Sequence, residues 1–413
     1  MNIVKHWRRR ILFALAIVGP GLITAFADND AAGVATYSVA AAMYGYGMLS
    51  ILLPVTLLLA VTQEIGARIA IVAEKGFADL IRERYGVRIA LFVYGLLFVV
   101  NLAVVIQDVS GIKSALILFH LDPIFFLPAI IIALYLFIVL AKYNAIERFL
   151  FAIIIFYATY VVSAFFAKPD WGTALSSLTF PKGELSAHYF YTAIAVLGTT
   201  VTAWGQFFIN SYVKDKRLTV EHLKYNRIEV YAGALFTNTL CFFIMVAVAA
   251  TLFTNHIVVT DAAQASFAIR PFAGDFAGVL FGVGLLGAGI LGCIVVALST
   301  AYAFSEFFGF SGSLDEKFNK SRLFYTTLFI QLGVATVVVM LPQVSLFTIT
   351  LIANFANGAI LPIIFYFLYQ FSNNERIMGA FRNNKFQNVL IIGSAAVITI
   401  ASLIGFVGQL LGM

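Results

Sequence analysis

Runs of about 20 apolar residues recur from one end of this chain to the other, each long enough to cross a ~30 Å hydrocarbon core as an α-helix. In lipid every backbone N–H and C=O must find its partner within the protein, so runs of this length fold as a bundle of membrane-spanning helices. The composition agrees: 62% of the 413 residues are hydrophobic and 11% charged, less than half the roughly 25% charged of a soluble domain. No apolar run leads into a polar stretch able to fold alone, so residues 1–413 read as a single transmembrane domain.

Pro, Gly and polar punctuation divides the sequence into eleven spans, near 11–44 (broken), 48–74, 88–119, 124–141, 146–166, 187–213 (broken), 228–253, 273–307, 323–341, 344–371 and 387–411. Residues 76–85 and 260–269 read as short interfacial helices, and 167–186 as the longest connection without helical character. With the N-terminus in the cytoplasm, 22 of the 26 basic residues fall at cytoplasmic loops and span ends; Lys168, Lys182 and Arg270 fall outside and Lys113 within a span. This positive-inside asymmetry accounts for the net charge of +6 without a nucleic-acid partner. The expected topology is eleven helices in the plasma membrane, N-terminus cytoplasmic and C-terminus extracytoplasmic. Arg8, Arg9 and Arg10 before an apolar run imitate a secretory signal peptide, but Gly19-Pro20-Gly21 interrupts that run and further spans follow. Cys241 and Cys293 lie apart in apolar runs with no CxxC, so neither a disulfide framework nor a thiolate metal site is expected.

Charge inside a span costs at least ~2.5 kcal/mol for Asp at mid-membrane, so each instance requires a reason. Asp28, Asn29 and Asp30 lie between an apolar run and a second helical run from Val34 to Met43, with Ala31, Ala32 and Gly33 between. They predict a helix that unwinds in mid-membrane. Carbonyls of its first half, amides of its second and two carboxylates would make a cation site there. An ordinary loop between short helices is the competing reading, but the run to Met43 is too short to span alone.

A second break is expected between Gly198 and Gln206 in the sixth span, where Thr199, Thr202, Gln206 and Asn210 would share one face of a continuous helix. Hydrogen bonding between helices is the plainer explanation of that stripe. Breaks five spans apart are what inverted repeats of about 11–166 and 187–371 would produce, with 387–411 as an extra helix and the substrate between the breaks. The two halves show no convincing residue-level identity. Asp108, deep in the third span, is the candidate for carrying protons or stabilising a cation, unless it pairs with Lys113 or a hydroxyl. Asn354 and Asn357 in the tenth span either complete the site or bond neighbouring helices, and Glu64 with Arg68 reads as a structural i, i+4 pair. The run from Gly282 to Gly289 lacks the preceding strand of a nucleotide loop and reads as helix packing. No catalytic motif stands out, so the chain is not expected to be an enzyme.

These residues carry a family resemblance. Gly19-Pro20-Gly21-Leu22 leading to Asp30-Ala31-Ala32-Gly33 resembles the first helix of the Nramp family of divalent metal transporters, where Gly-Pro-Gly precedes Asp-Pro-Gly-Asn. Gly198 to Val213 similarly resembles the family stretch containing Met-Pro-His. Helix number, Ala67-Arg68 closing the second span, Asp108 on the third, and Asn357-Gly358 with Pro362 on the tenth extend the likeness along the chain. The resemblance implies an all-α, LeuT-type 5+5 inverted repeat with helices 1 and 6 broken, working by alternating access, with Asp30 in place of the family's metal-binding Asp. Departures are equally plain. Gly33 stands where the family has its ligand Asn, Thr202 where it has the ligand Met, and Trp204 where it has a His implicated in proton movement. Gly111 stands where many members have Glu, and the ninth span has no internal Arg. Asp28 and Asn29, at positions usually apolar or aromatic, look like compensation, so a divergent, Nramp-related branch is expected.

A site of carboxylate, amide, hydroxyl and carbonyl oxygens without a thioether suits hard ions such as Mn²⁺ and Mg²⁺, or Fe²⁺-like ions, more than soft ones. The expected ligands are Asp30, Asp28, Asn29, Thr202, Gln206, the Thr199 carbonyl and Asn354, around a cation that keeps part of its water. The ion is cargo; no resident cofactor is expected. Proton coupling stays open: Asp108 could relay protons, while the missing His and Glu favour metal movement without stoichiometric protons. The main alternative is a transporter of an amino acid or other small organic solute on the same architecture, whose carboxylate two Asp would repel. A non-transporting scaffold or receptor would leave the polar breaks unexplained.

Overall fold

The computed structural model describes residues 19–179, 186–257, 275–341 and 346–411, so the start of the first span and the interfacial helix expected at 260–269 lie outside the described residues. The first span is split into α1 (Pro20–Ala27) and α2 (Ala31–Tyr44), and a 3-10 turn (Gly45–Ile51) leads into α3 (Leu52–Ala73). Helix α4 (Phe77–Leu118) is kinked at Gly86, whose φ of 81° suits only glycine; the kink separates the expected interfacial helix from the third span. After α5 (Pro123–Leu140), the fifth span is α6 (Tyr143–Ile154) and α7 (Ala158–Phe166) joined by a 3-10 turn. The connection expected to lack helix holds a short one, α8 (Trp171–Ser176), because the Asp170 carboxylate accepts from Thr173 N at 3.1 Å and caps it. The sixth span is split into α9 (Ala187–Thr200) and α10 (Ala203–Asp215). Then follow α11 (Leu223–Val248), α12 (Asp275–Phe308), α13 (Arg322–Met340), α14 (Leu346–Ala359), α15 (Leu361–Ser372), the short α16 (Glu375–Met378) and α17 (Lys385–Leu411).

Among the described residues ten helical runs are long and apolar enough to cross a membrane. The number is one below the eleven expected because the first span is broken: its second half and the whole second span make a single run, Ala31–Ala73. The sixth span is the inside of the bundle, 89% buried, whereas the fourth and eleventh are 22% buried and present Phe125, Leu140 and Val389 outward as a lipid-facing rim. The glycines of α12 allow the close packing expected of them: Gly289 lies against Asp108 and Ile112 of α4, and Gly284 and Gly287 against Tyr160 and Phe156.

Connections after alternate spans meet at one end. Lys214 pairs with Asp79 at 3.0 Å and Lys216 with Glu147 at 2.7 Å, Ser313 donates to Asp215 at 2.6 Å, and the Arg68 guanidinium donates to the Phe381 carbonyl. The connections following spans two, four, six, eight and ten are therefore gathered on one face, as alternate crossing requires. The Glu64–Arg68 pair forms as expected at 3.0 Å and is joined by Arg227 at 2.9 Å.

Candidate cation site at the paired helix breaks

The chain leaves α1 at Asp28 and re-enters helix at Ala31, with Asp30 as N-cap in extended backbone. Asp30 Oδ1 accepts from Gly33 N at 2.6 Å, satisfying one of the amides that a helix start leaves unpaired. A second carboxylate arrives from the third span: Asp108 Oδ1 accepts from Ala31 N at 3.0 Å, and its Oδ2 is buried without a partner. Asp108 thus does not pair with Lys113, whose ammonium donates to the Val339 carbonyl at 2.8 Å. Gly292 of α12 makes the room, since a Cβ there would collide with the Asp108 carboxylate. The start of α1 is served by Glu229 of α11, unforeseen in the sequence, whose Oε1 accepts from Gly19 N at 2.7 Å and Leu22 N at 3.0 Å.

The second break repeats the first in miniature. Thr202 is the N-cap of α10, its Oγ1 accepting from Gly205 N at 2.9 Å. Asp30-Ala31-Ala32-Gly33 and Thr202-Ala203-Trp204-Gly205 are one device, a capping side chain with a glycine amide three residues on. The cap differs in residue type and only the alanine and the glycine are identical, too short a match for a search for residue identity between the halves to notice. In a continuous helix the Ala203 amide would close onto the Thr199 carbonyl; here it donates to Asn357 Oδ1 at 2.9 Å. The Thr199 carbonyl loses its helical donor, as a carbonyl ligand would require.

Asp28 joins the two breaks. Its Oδ1 accepts from Thr202 Oγ1 and its Oδ2 from Gln63 Nε2, each at 3.2 Å. Gln63, on α3, was not among the expected residues; its only signal was a polar Thr62-Gln63-Glu64 run inside an apolar span. Gln206 stands one turn along α10 from Thr202, with its Nε2 on Thr62 Oγ1 at 3.3 Å. Asn354 lies on the other side of the break, donating to Thr36 Oγ1 at 2.6 Å while its Oδ1 lacks a partner. Asn29 departs from expectation. Its Nδ2 donates to the Thr237 carbonyl at 3.0 Å and hydroxyl at 2.6 Å, and its Oδ1 accepts from Cys241 Sγ at 2.9 Å. Both ends of that amide are engaged by α11, so Asn29 fastens the break to the seventh span.

Asp28, Asp30, Thr199, Thr202, Gln206, Asn354 and Asp108 are all at most 2% exposed. Among the described residues no Lys, Arg or His pairs with Asp28, Asp30 or Asp108. When ionised, Asp30 repels both Asp28 and Asp108. Nor, among the described residues, do three or more His, Cys, Asp or Glu gather as a metal cluster, so any ion here relies on hydroxyl, amide and carbonyl oxygens beside its carboxylates.

The departures from the family pattern have a steric side. A Cβ on Gly33 would lie 2.6 Å from the Asp28 carbonyl oxygen, and one on Gly111 would collide with Ala31 Cβ. The break is wound too tightly for the Asn and Glu that the resemblance would put there. Trp204 is fully buried against α12, its carbonyl accepting from Ser299 Oγ at 2.8 Å. Gly33→Asn is accordingly expected to lower stability by about 1–3 kcal/mol through overpacking rather than supply a ligand. Melting of the purified variant in detergent reads this; an unchanged melting temperature with raised metal affinity would contradict it.

The model of the family described as natural resistance-associated macrophage protein-like, Nramp, matches residues 21–408. The chain is 27% identical over 416 residues to the divalent metal cation transporter MntH of Ralstonia nicotianae, covering 96% of this chain and 91% of that one. It is 28% identical over 396 residues to MntH of Bacillus subtilis, covering 91% and 88%. The fold is shared with a mutant of the manganese transporter of Eremococcus coleocola, at a TM-score of 0.75 and 17% identity over 97% of this chain and 87% of that one. It is shared more distantly with MhsT in complex with L-phenylalanine, at a TM-score of 0.62 and 14% identity over 94% and 97%. These likenesses bear out the all-α, LeuT-type reading and place the chain among transporters rather than enzymes: it is a multi-pass membrane protein of the Nramp family.

Proposed function

We propose that the chain is a secondary transporter that moves divalent metal cations by alternating access, binding them between the two helix breaks. One observation carries the reading: Asp28 and Asp30 are buried side by side at the joint of two broken helices with no basic partner among the described residues. Buried carboxylates without a compensating charge are costly, and a bound cation offsets that cost. The inverted-repeat division at 11–166 and 187–371 gains support from the repeated cap-and-glycine device. Asp28, Asp30, Thr202, Asn354 and the Thr199 carbonyl are the ligand candidates, with Gln206 one turn further along α10, Asn29 behind them and Asp108 at the start of α2. All are oxygen donors, which favours Mn²⁺, Mg²⁺ or Fe²⁺-like ions retaining some water over thiophilic ones. The basic loops gathered at one end support a reading with that end in the cytoplasm of a plasma-membrane protein, the N-terminus inside and the C-terminus outside.

The test is uptake into proteoliposomes across a panel of Mn²⁺, Mg²⁺, Fe²⁺, Ca²⁺ and Cd²⁺, with lumen pH followed by a trapped dye. Saturable uptake of Mn²⁺ or Mg²⁺ without preference for Cd²⁺, and with little lumen acidification, is expected. Uptake of an amino acid with none of any metal would overturn the reading in favour of an organic solute.

A further inference from the structure

Resting on the cation-transport reading above, we infer that Gln63, Gln206 and Asn210 form a second cation station, which starts beside Asp28 at Gln63 and runs one to two helical turns along α10 toward Lys214. Each of the three side chains is fully buried. Which way each amide faces is fixed by its partner. The Thr62 hydroxyl proton goes to the Leu58 carbonyl at 2.9 Å, so Thr62 Oγ1 is left to accept and Gln206 must turn its Nε2 toward it. The Gly66 carbonyl can only accept, so Asn210 presents Nδ2 to it at 3.1 Å. An ionised Asp28 likewise can only accept, and Gln63 presents Nε2. By elimination Gln63 Oε1, Gln206 Oε1 and Asn210 Oδ1 are left over, and none of them has a donor.

A buried acceptor without a donor is costly, and three along one helix interface call for an occupant. The placement says which. Thr202, Gln206 and Asn210 lie four residues apart on α10, so the stripe descends about 6 Å per step from the hydroxyl that touches Asp28. It faces α3 at Gly66, where a Cβ would stand 3.7 Å from Gln206 Oε1 and 3.2 Å from Ile209. One turn further, Lys214 is held by Asp79 at 3.0 Å and Glu306 at 3.6 Å, which closes the end of the stripe. Neutral amide oxygens hold a divalent ion less firmly than carboxylates do, which suits a station of transit: the ion sheds one site as it reaches the next.

The full chain in proteoliposomes, with Mn²⁺ as probe, tests the station. In Gln206→Leu, Asn210→Leu and the double variant, Mn²⁺ affinity by calorimetry is expected to stay within about twofold while the maximal uptake rate falls about tenfold or more. Gln206→Glu, by adding charge to the station, is expected to raise Mn²⁺ retained per chain from one to two. A double variant with the unmodified maximal rate overturns the station, as does a loss of affinity equal to the loss of rate. If the leucine variants lack a melting transition, Gln206→Met and Asn210→Ala, which remove the same oxygens, carry the same expectation. Failure of the parent reading looks different: the unmodified chain would bind no Mn²⁺ and Asp30 variants would behave as it does.

Discussion

Asp30→Asn leaves the protein folded and stops Mn²⁺ uptake. The argument separates the two roles that the structure gives this side chain. As N-cap of α2 it needs only an oxygen for Gly33 N, and Asn caps about as well as Asp, whereas Ala costs roughly 1 kcal/mol. As a ligand it needs its charge. A doubly charged ion 4 Å from a carboxylate gains about 8 kcal/mol at an effective dielectric of 20, before desolvation is subtracted. If only a third of that survives, affinity changes about a hundredfold. Uptake at least about a hundredfold slower at sub-saturating Mn²⁺, with a melting temperature near that of the unmodified protein, is therefore the expected pair of results. Asp30→Ala should lose uptake and melt lower as well. Normal uptake by the Asn variant would mean that Asp30 is a cap and nothing more, and would return the site to Asp28 alone.

What could be read in the sequence follows from which forces act locally. Asp28 and Asp30 stood out because charge in an apolar run is costly wherever its partners are. Thr202 stood out because a polar stripe crosses a Gly-bounded interruption. The partners of an amide are set by packing between distant segments, which local reading does not reach. Asn29, between two carboxylates, looked like a ligand, yet it turns to Thr237 and Cys241 on a helix 208 and 212 residues away. Gln63 looked like part of an ordinary span and proves to hold Asp28. Asp108 was weighed against Lys113, five residues along the same helix, while its true donor is the Ala31 amide. Gly33 and Gly111 illustrate a further limit. In sequence they are missing ligands; in the fold they are the clearance that lets the break close on itself and the third span approach it.

Glu64→Ala should be the most destabilising single change in the polar interior while leaving the cation site nearly untouched. Glu64 is adjacent to Gln63 but points to another face of α3. Its Oε1 accepts from Arg68 Nε at 3.0 Å and lies 2.9 Å from Arg227 Nη2, and its Oε2 accepts from Gln387 Nε2 at 2.9 Å. Arg68 is buried, and besides Glu64 it donates to Asn383 Oδ1 at 2.8 Å and to the Phe381 carbonyl. Removing the carboxylate strands the Arg68 cation among neutral acceptors, and breaking such a buried pair costs about 3–5 kcal/mol. Arg227, half-exposed, can relax toward water and contributes less. A large fall in melting temperature with Mn²⁺ affinity unchanged is expected. Adding Arg68→Met to Glu64→Ala removes the stranded charge, so the double variant should be more stable than the sum of its singles by about 0.5–3 kcal/mol. Strict additivity would show that the two side chains are not energetically paired. A matching loss of Mn²⁺ affinity would show instead that the cluster and the cation site are one polar system, joined through the Gln63–Glu64 turn of α3.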